Sequence, residues 1–188
     1  MMKYKERKEL VSMVLTLLVI ALVCSSLLGV VNALTKDRIA EIQAETLAAA
    51  MQQVLPNATE FQNINLRLDP KFMEENAVTA IYEAGDEGYV VLVSPRGFGG
   101  ELVMTVGIDT DLAVTGVVIT EHSETAGLGT KAQTPEYLSQ YLGKSGTLQI
   151  VKGAAAEGQI SAVSGATVTS KAVAAGVQAA LRAAGAAA

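Results

Sequence analysis

From Leu10 to Thr35 the chain carries no charged residue. That run, about 26 residues at ~1.5 Å of rise each, is long enough as a helix to cross a ~30 Å hydrocarbon layer. Within it, Val11 to Val23 reads as continuous apolar helix. A secretory signal has an apolar region of only ~7–15 residues, so the run is read as a retained anchor. The alternative is cleavage after the small-residue stretch Val31-Asn32-Ala33. Lys3, Lys5, Arg7 and Lys8 precede the span, while Lys36 and Arg38 come after it. This bias puts the N-terminus in the cytoplasm and the rest of a single-pass chain on the outer face of the cell (inner) membrane, in contact with the lipid bilayer.

Beyond the span the chain is acidic. The formal net charge is −5, and the first nine residues contribute +2, leaving −7 for the remainder. Such a domain lacks the basic footprint of a nucleic-acid binder. The one cysteine, Cys24, lies inside the apolar run, and His122 is the one histidine. Those counts exclude an intrachain disulfide, a Cys-ligated iron–sulfur cluster, a Cys-X-X-Cys-His haem site and a multi-histidine metal centre within one chain. If this chain moves electrons, an organic cofactor carries them.

Four regions are expected: a cytoplasmic N-terminus (1–9), a transmembrane anchor (10–35), an amphipathic connecting helix (36–56) and an extracytoplasmic domain (57–188). In the third, Ile39, Ile42, Leu47, Met51 and Leu55 recur at helical spacing, and Pro56-Asn57 ends the pattern. Residues 57–76 read as loop and short elements, with Asp69-Pro70 as a turn. Strands are expected over 77–82, 88–94, 101–108 and 113–121, forming an antiparallel meander. Between two of them, Pro95-Arg-Gly-Phe-Gly-Gly reads as a hairpin loop without an assigned role. A short helix is expected over 134–143, a strand over 147–151, a flexible stretch over 153–158, and an alanine-rich helix from Thr169 onward. The class is α+β, an antiparallel sheet flanked by helices behind one anchor helix.

The segment Ser161-Ala-Val-Ser164-Gly165-Ala166-Thr167-Val168-Thr169-Ser170-Lys171 precedes the alanine-rich helix. A helix start stocked with hydroxyls has two readings. Thr167, Thr169 or Ser170 caps the free N–H groups, or those groups and the positive end of the helix dipole receive a phosphate. Gly165 allows a turn closed to other residues, and Ala166 keeps bulk away from Thr167. His122 with Ser164 or Thr167 does not make a hydrolase, because there is no Gly-x-Ser-x-Gly elbow and no acid placed to orient the histidine.

Ser164-Gly165-Ala166-Thr167, with Val-Thr-Ser directly after it, resembles the flavinylation motif of the FMN-binding domain family. His122-Ser-Glu124-Thr125-Ala126-Gly127-Leu128-Gly129 resembles its His-x-Glu-Thr-Pro-Gly-Leu-Gly signature, which lies near the flavin. The family includes the G subunit of Rnf-type ion-translocating ferredoxin:NAD oxidoreductases and the C subunit of the sodium-translocating NADH:quinone oxidoreductase. The compact length and single anchor resemble the former. The resemblance implies FMN held as a phosphoester on Thr167 by a separate flavin transferase. It places Ser164, Gly165, Ala166, Thr169, Glu124, Thr125, Gly127, Leu128 and Gly129 around the cofactor. It also implies an electron-carrying subunit working with other membrane subunits, one of them a second covalent flavin subunit. A quinone-reductase subunit, a stand-alone extracellular carrier and a non-redox binding module are the alternatives. Two positions depart from the pattern: Ala126 stands where the family has proline, and Ser161 where the transferase motif has aspartate.

Overall fold

The computed structural model describes residues 4–156 and 158–188, with side chains from Arg7 onward. It divides into two compact units, one ending at Glu45 and one running from Thr46 to Ala188.

From Tyr4 the first unit is part of helix α1, Tyr4–Val54. From Leu10 to Leu34 its large apolar side chains are exposed all around the helix, and its most apolar window has a mean hydropathy of 2.8 with none of it buried. A helix apolar on every side has no solvated face. Its polar side chains are turned inward: Thr16, Ser25, Ser26 and Thr35 donate to carbonyls one turn back at 2.7–2.9 Å. This back-bonding keeps those hydroxyls satisfied without water.

The second unit is built on a five-stranded antiparallel meander. Its strands are β1 (Gln62–Asn63), β2 (Val78–Glu83), β3 (Tyr89–Val93), β4 (Leu102–Ile108) and β5 (Val114–His122), in that spatial order. Period-two alternation divides the strands between two cores. Ile81, Val91, Val93, Met104 and Val106 face one way, onto the last helix, α4 (Thr167–Ala187). Tyr82, Val90, Leu92 and Val118 face the other way, where Met51, Val54 and Leu55 from the end of α1 cover them. Strand β4 is consequently buried over most of its length. Leu47, Met51 and Leu55 pack as the helical pattern requires, whereas Ile39 and Ile42 stay exposed.

Three local expectations need correction. Asp69-Pro70 does not make a turn but starts a helix, α2 (Pro70–Glu75): Asp69 accepts from the Lys71 N–H and proline takes the first helical position. Turn formers and helix starts use the same residues, because both need a side-chain oxygen and a fixed φ. The helix expected over 134–143 stops early, as α3 (Pro135–Leu138) and then a 3₁₀ turn at Ser139–Tyr141. Gly143, at φ +69°, and Lys144 leave the helical path to exchange backbone hydrogen bonds with Val114. Finally, Ser161 and Ala162 belong to a strand: β7 (Gln159–Ala162) pairs in parallel with β6 (Gln149–Lys152).

Candidate functional site

Strand β7 leads through Val163, Ser164 and Gly165 into α4, and Gly165 takes φ +81°, the left-handed turn that redirects the chain. The hydroxyls gathered at this helix start have different fates. Ser170 is fully buried: its hydroxyl accepts from the Val163 N–H at 3.0 Å and donates to the Ala166 carbonyl at 2.9 Å. Thr169 is buried and donates to Glu124 Oε2 at 2.8 Å. Thr167 is half-buried, and its hydroxyl has no hydrogen bond among the described residues.

None of these hydroxyls caps the helix. The N-cap is Ala166, which has no side-chain oxygen to offer. The N–H groups of Thr167, Val168 and Thr169 therefore have no partner among the described residues. The capping reading is overturned: folding uses Thr169 and Ser170 elsewhere and leaves the positive end of a 21-residue helix open.

That open end faces a cleft of about 310 Å³, lined by Phe98, Glu124, Thr125, Leu128, Gly129, Gly165, Ala166, Thr167, Val168 and Thr169. Its size lies at the lower end of the ~300–1,000 Å³ range of small-molecule sites. The two sequence segments, about forty residues apart, thus form opposite walls. Eight of the ten residues expected around the cofactor line the cleft. Ser164 sits exposed in the turn just outside it, and Gly127, at φ +78°, shapes the loop by donating to Thr130 Oγ1 at 3.0 Å. His122 is exposed and its Nδ1 accepts the Glu124 N–H at 3.3 Å.

Glu124 is 8 % exposed. Its Oε1 accepts from the N–H groups of Phe98 at 2.7 Å and Gly99 at 3.2 Å, and its Oε2 from Thr169. A buried carboxylate is tolerable only when donors replace its water. Phe98, which lies outside both motifs, and Val168, which the sequence reading gave no role at the cofactor, also line the cleft. The available signal is a large aromatic residue enclosed by glycines, and a valine directly after the Ser-Gly-Ala-Thr run.

The donors suit an anion at one end and a flat apolar group at the other. Three unpaired N–H groups and a helix dipole favour phosphate; Phe98, Leu128, Val168 and Ala166 offer apolar surface. Room is provided by glycine: a Cβ on Gly165 would stand 3.0 Å from Leu128 Cδ2. FMN has both of these ends, and the residues fit it.

Comparison with known proteins agrees. Residues 97–182 match the FMN-binding domain family, and residues 2–54 match the RnfG N-terminal region. The G subunit of the Na(+)-translocating ferredoxin:NAD(+) oxidoreductase complex of Acetobacterium woodii is 36 % identical over 178 residues, covering 87 % of this chain and 86 % of that protein. The chain belongs to the G-subunit family of ion-translocating oxidoreductase complexes. Another relative, the G subunit of the ion-translocating oxidoreductase complex of Methanosarcina acetivorans, is 33 % identical, covering 89 % of this chain and 90 % of that one. The G subunit of the proton-translocating ferredoxin:NAD(+) oxidoreductase complex of Clostridium ljungdahlii is 27 % identical over 95 % of this chain and 93 % of its own. Among solved structures, NqrC of Shewanella oneidensis shares the fold, with a TM-score of 0.54 at 21 % identity, over 74 % of this chain and 89 % of that one. Membrane association follows from the apolar N-terminal helix together with membership of this family.

Proposed function

We propose that this chain is the electron-carrying G subunit of a membrane-bound, ion-translocating ferredoxin:NAD oxidoreductase, with FMN attached through its phosphate to Thr167. The observation that carries the reading is the contrast among the three hydroxyls of the first α4 turn. Thr169 and Ser170 are buried and bonded, while Thr167 is accessible, unbonded and beside three free N–H groups. Those N–H groups would hold the phosphate end, with Thr125 and Thr167 in the lining of the same cleft. Leu128 and Val168, which line the same cleft, would give apolar surface to the other end. FMN, when bound, supplies one- and two-electron redox chemistry that no side chain here offers. The residues bind and orient; Thr167 is an attachment point, and turnover belongs to the assembled complex.

A flavin transferase installs the cofactor. Other membrane subunits, including a second covalent flavin subunit, exchange electrons with it. The positive flank of α1 supports a cytoplasmic N-terminus and an FMN domain on the outer face of the cell membrane. A covalent tether suits an exported domain, from which a dissociable flavin would be lost by dilution. The test is coexpression of the full chain with its flavin transferase, then acid denaturation. Yellow fluorescence is expected on the protein band and its loss in Thr167→Ala. A dark wild-type band beside an active transferase would overturn the covalent reading.

A further inference from the structure

We propose that Phe98 forms the wall on which the isoalloxazine ring of the flavin lies, and that Glu124 is the positioning residue that holds Phe98 there. The inference rests on the covalent-FMN reading. Burial sets Phe98 apart from the other phenylalanines. Phe61 and Phe72 pack against the two cores, but Phe98 is 73 % exposed. Exposed aromatic residues often sit on loop tips with little to hold them, whereas the backbone of Phe98 is tied down on both sides.

The loop between β3 and β4 is closed by Gly97 N–H donating to the Gly100 carbonyl at 2.7 Å and Leu102 N–H to the Pro95 carbonyl at 3.0 Å, with a bridge between Arg96 and Glu101. Its interior is filled by the Glu124 carboxylate, which takes the N–H groups of Phe98 itself and of Gly99. Glycines make this possible. A Cβ on Gly97 would stand 2.1 Å from Glu124 Oε1, one on Gly129 would stand 2.4 Å from Oε2, and one on Gly99 would stand 2.0 Å from the Ser123 carbonyl. Through Oε2 the same carboxylate holds Thr169, two residues beyond Thr167. A single buried side chain thus fixes the Phe98 backbone relative to the first turn of α4.

With its three acceptor bonds made, Glu124 acts through Phe98 rather than as a cofactor contact. Phe98 lines the cleft together with Leu128 and Val168, which are 47 % and 52 % exposed. Three exposed apolar side chains from three separate segments converge on one hollow that ends at an anion site. The ligand chemistry that covers them is a flat aromatic heterocycle carrying a phosphate. Aromatic rings stack at centroid separations of ~4.5–7 Å, and a phenylalanine held by its own backbone loses little freedom in doing so.

The chain has no tryptophan, so Phe98→Trp introduces one indole, a strongly electron-donating ring whose contact with the flavin can be read by fluorescence. In the flavinylated full chain, Phe98→Trp is expected to lower flavin emission and shorten its lifetime several-fold, by electron transfer from an indole at stacking distance, while Phe98→Leu leaves both unquenched. Adding Glu124→Ala to the tryptophan variant should restore much of the emission, and adding Glu124→Gln, which keeps an acceptor, should not. Phe98→Tyr serves as a second quencher, and circular dichroism checks the fold of each protein. If neither the Phe98→Trp nor the Phe98→Tyr protein quenches although both are folded and flavinylated, the proposal is overturned and a partner protein is what covers Phe98. A wild-type chain without flavin would fail the underlying covalent reading instead.

Discussion

At the scale of single residues, two buried polar groups set measurable properties. Removing the Glu124 side chain leaves two backbone N–H groups and the Thr169 hydroxyl without their acceptor. Each bond to a charged group contributes ~1.5–3 kcal/mol, with incomplete additivity. Glu124→Ala should therefore cost about 3–4 kcal/mol by urea denaturation, and Glu124→Gln about 1 kcal/mol. Near-equal losses would show that the carboxylate is not what ties the loop to α4. Tyr141 is fully buried, its hydroxyl 3.2 Å from that of Tyr137 and the rings edge-to-face at 5.9 Å. Burial first, and the neighbouring Tyr137 second, push its phenol above the ordinary tyrosine range. An unfolded tyrosine ionises near pH ~10, so the unfolded chain gives up this proton first. The contribution is intact below that pH and declines as pH rises above it. Melting from pH 8 to 11 should fall more steeply in wild type than in Tyr141→Phe; parallel curves would assign the alkaline loss to other groups.

At the scale of elements, glycine decides what approaches what. Gly107 and Gly116 face each other across β4 and β5. A Cβ on Gly107 would stand 2.6 Å from the Val54 carbonyl oxygen, and one on Gly116 would stand 2.9 Å from Val54 Cα. Thr115 then donates to that carbonyl at 2.6 Å. The end of α1 rests on a patch of sheet stripped of side chains. Gly107→Ala drives a methyl into backbone, which cannot turn aside, so the overpacking cost of about 2–3 kcal/mol is expected. Gly176 is the gentler case. Alanine there gains ~1 kcal/mol of helix propensity, but its methyl would meet Pro95 Cγ at 2.9 Å and Met104 Sδ at 3.2 Å. Because the proline ring is rigid and the thioether yields, a net loss of about 1 kcal/mol is expected. Denaturant midpoints should rank wild type, then Gly176→Ala, then Gly107→Ala; a stabilised Gly107→Ala would contradict the packing argument. The same elements differ in how legible they are from sequence. The four long strands and the alanine-rich helix can be read directly, because alternation and propensity are local signals. Strand β7 cannot, since Gln159-Ile-Ser-Ala offers one large apolar residue and its pairing with β6 is parallel and non-local. The fate of each hydroxyl before α4 is equally hidden, because Glu124, which claims Thr169, lies 45 residues away.

At the scale of the whole chain, the anchor is legible as a run of uncharged residues, and the cleft as two motifs whose resemblance brings them together. The sequence pattern starts the domain at Asn57, after a connecting helix over 36–56. An amphipathic helix ending at Pro56 reads as a connector, and the pattern cannot say which of its residues the folded unit needs. The compact unit begins at Thr46, and Met51, Val54 and Leu55 are between 1 % and 5 % exposed, closing the core over Val90 and Ala84. Burying each such side chain contributes ~1.5–3 kcal/mol, so the three together supply about 5 kcal/mol or more. Native domains have only ~5–15 kcal/mol in total. A fragment of residues 57–188 should therefore be molten or aggregated, its β3 and β5 faces exposed. A fragment of residues 46–188, lacking the whole uncharged run, should be soluble and melt cooperatively. The comparison is made by expression yield, gel filtration and urea denaturation. Should 57–188 prove as stable as 46–188, the second core would be decoration, and the close approach of Val54 to Gly107 would need another explanation. Should only 46–188 fold, the last turns of α1 belong to the FMN-binding domain, and any chain built to display that domain has to keep them.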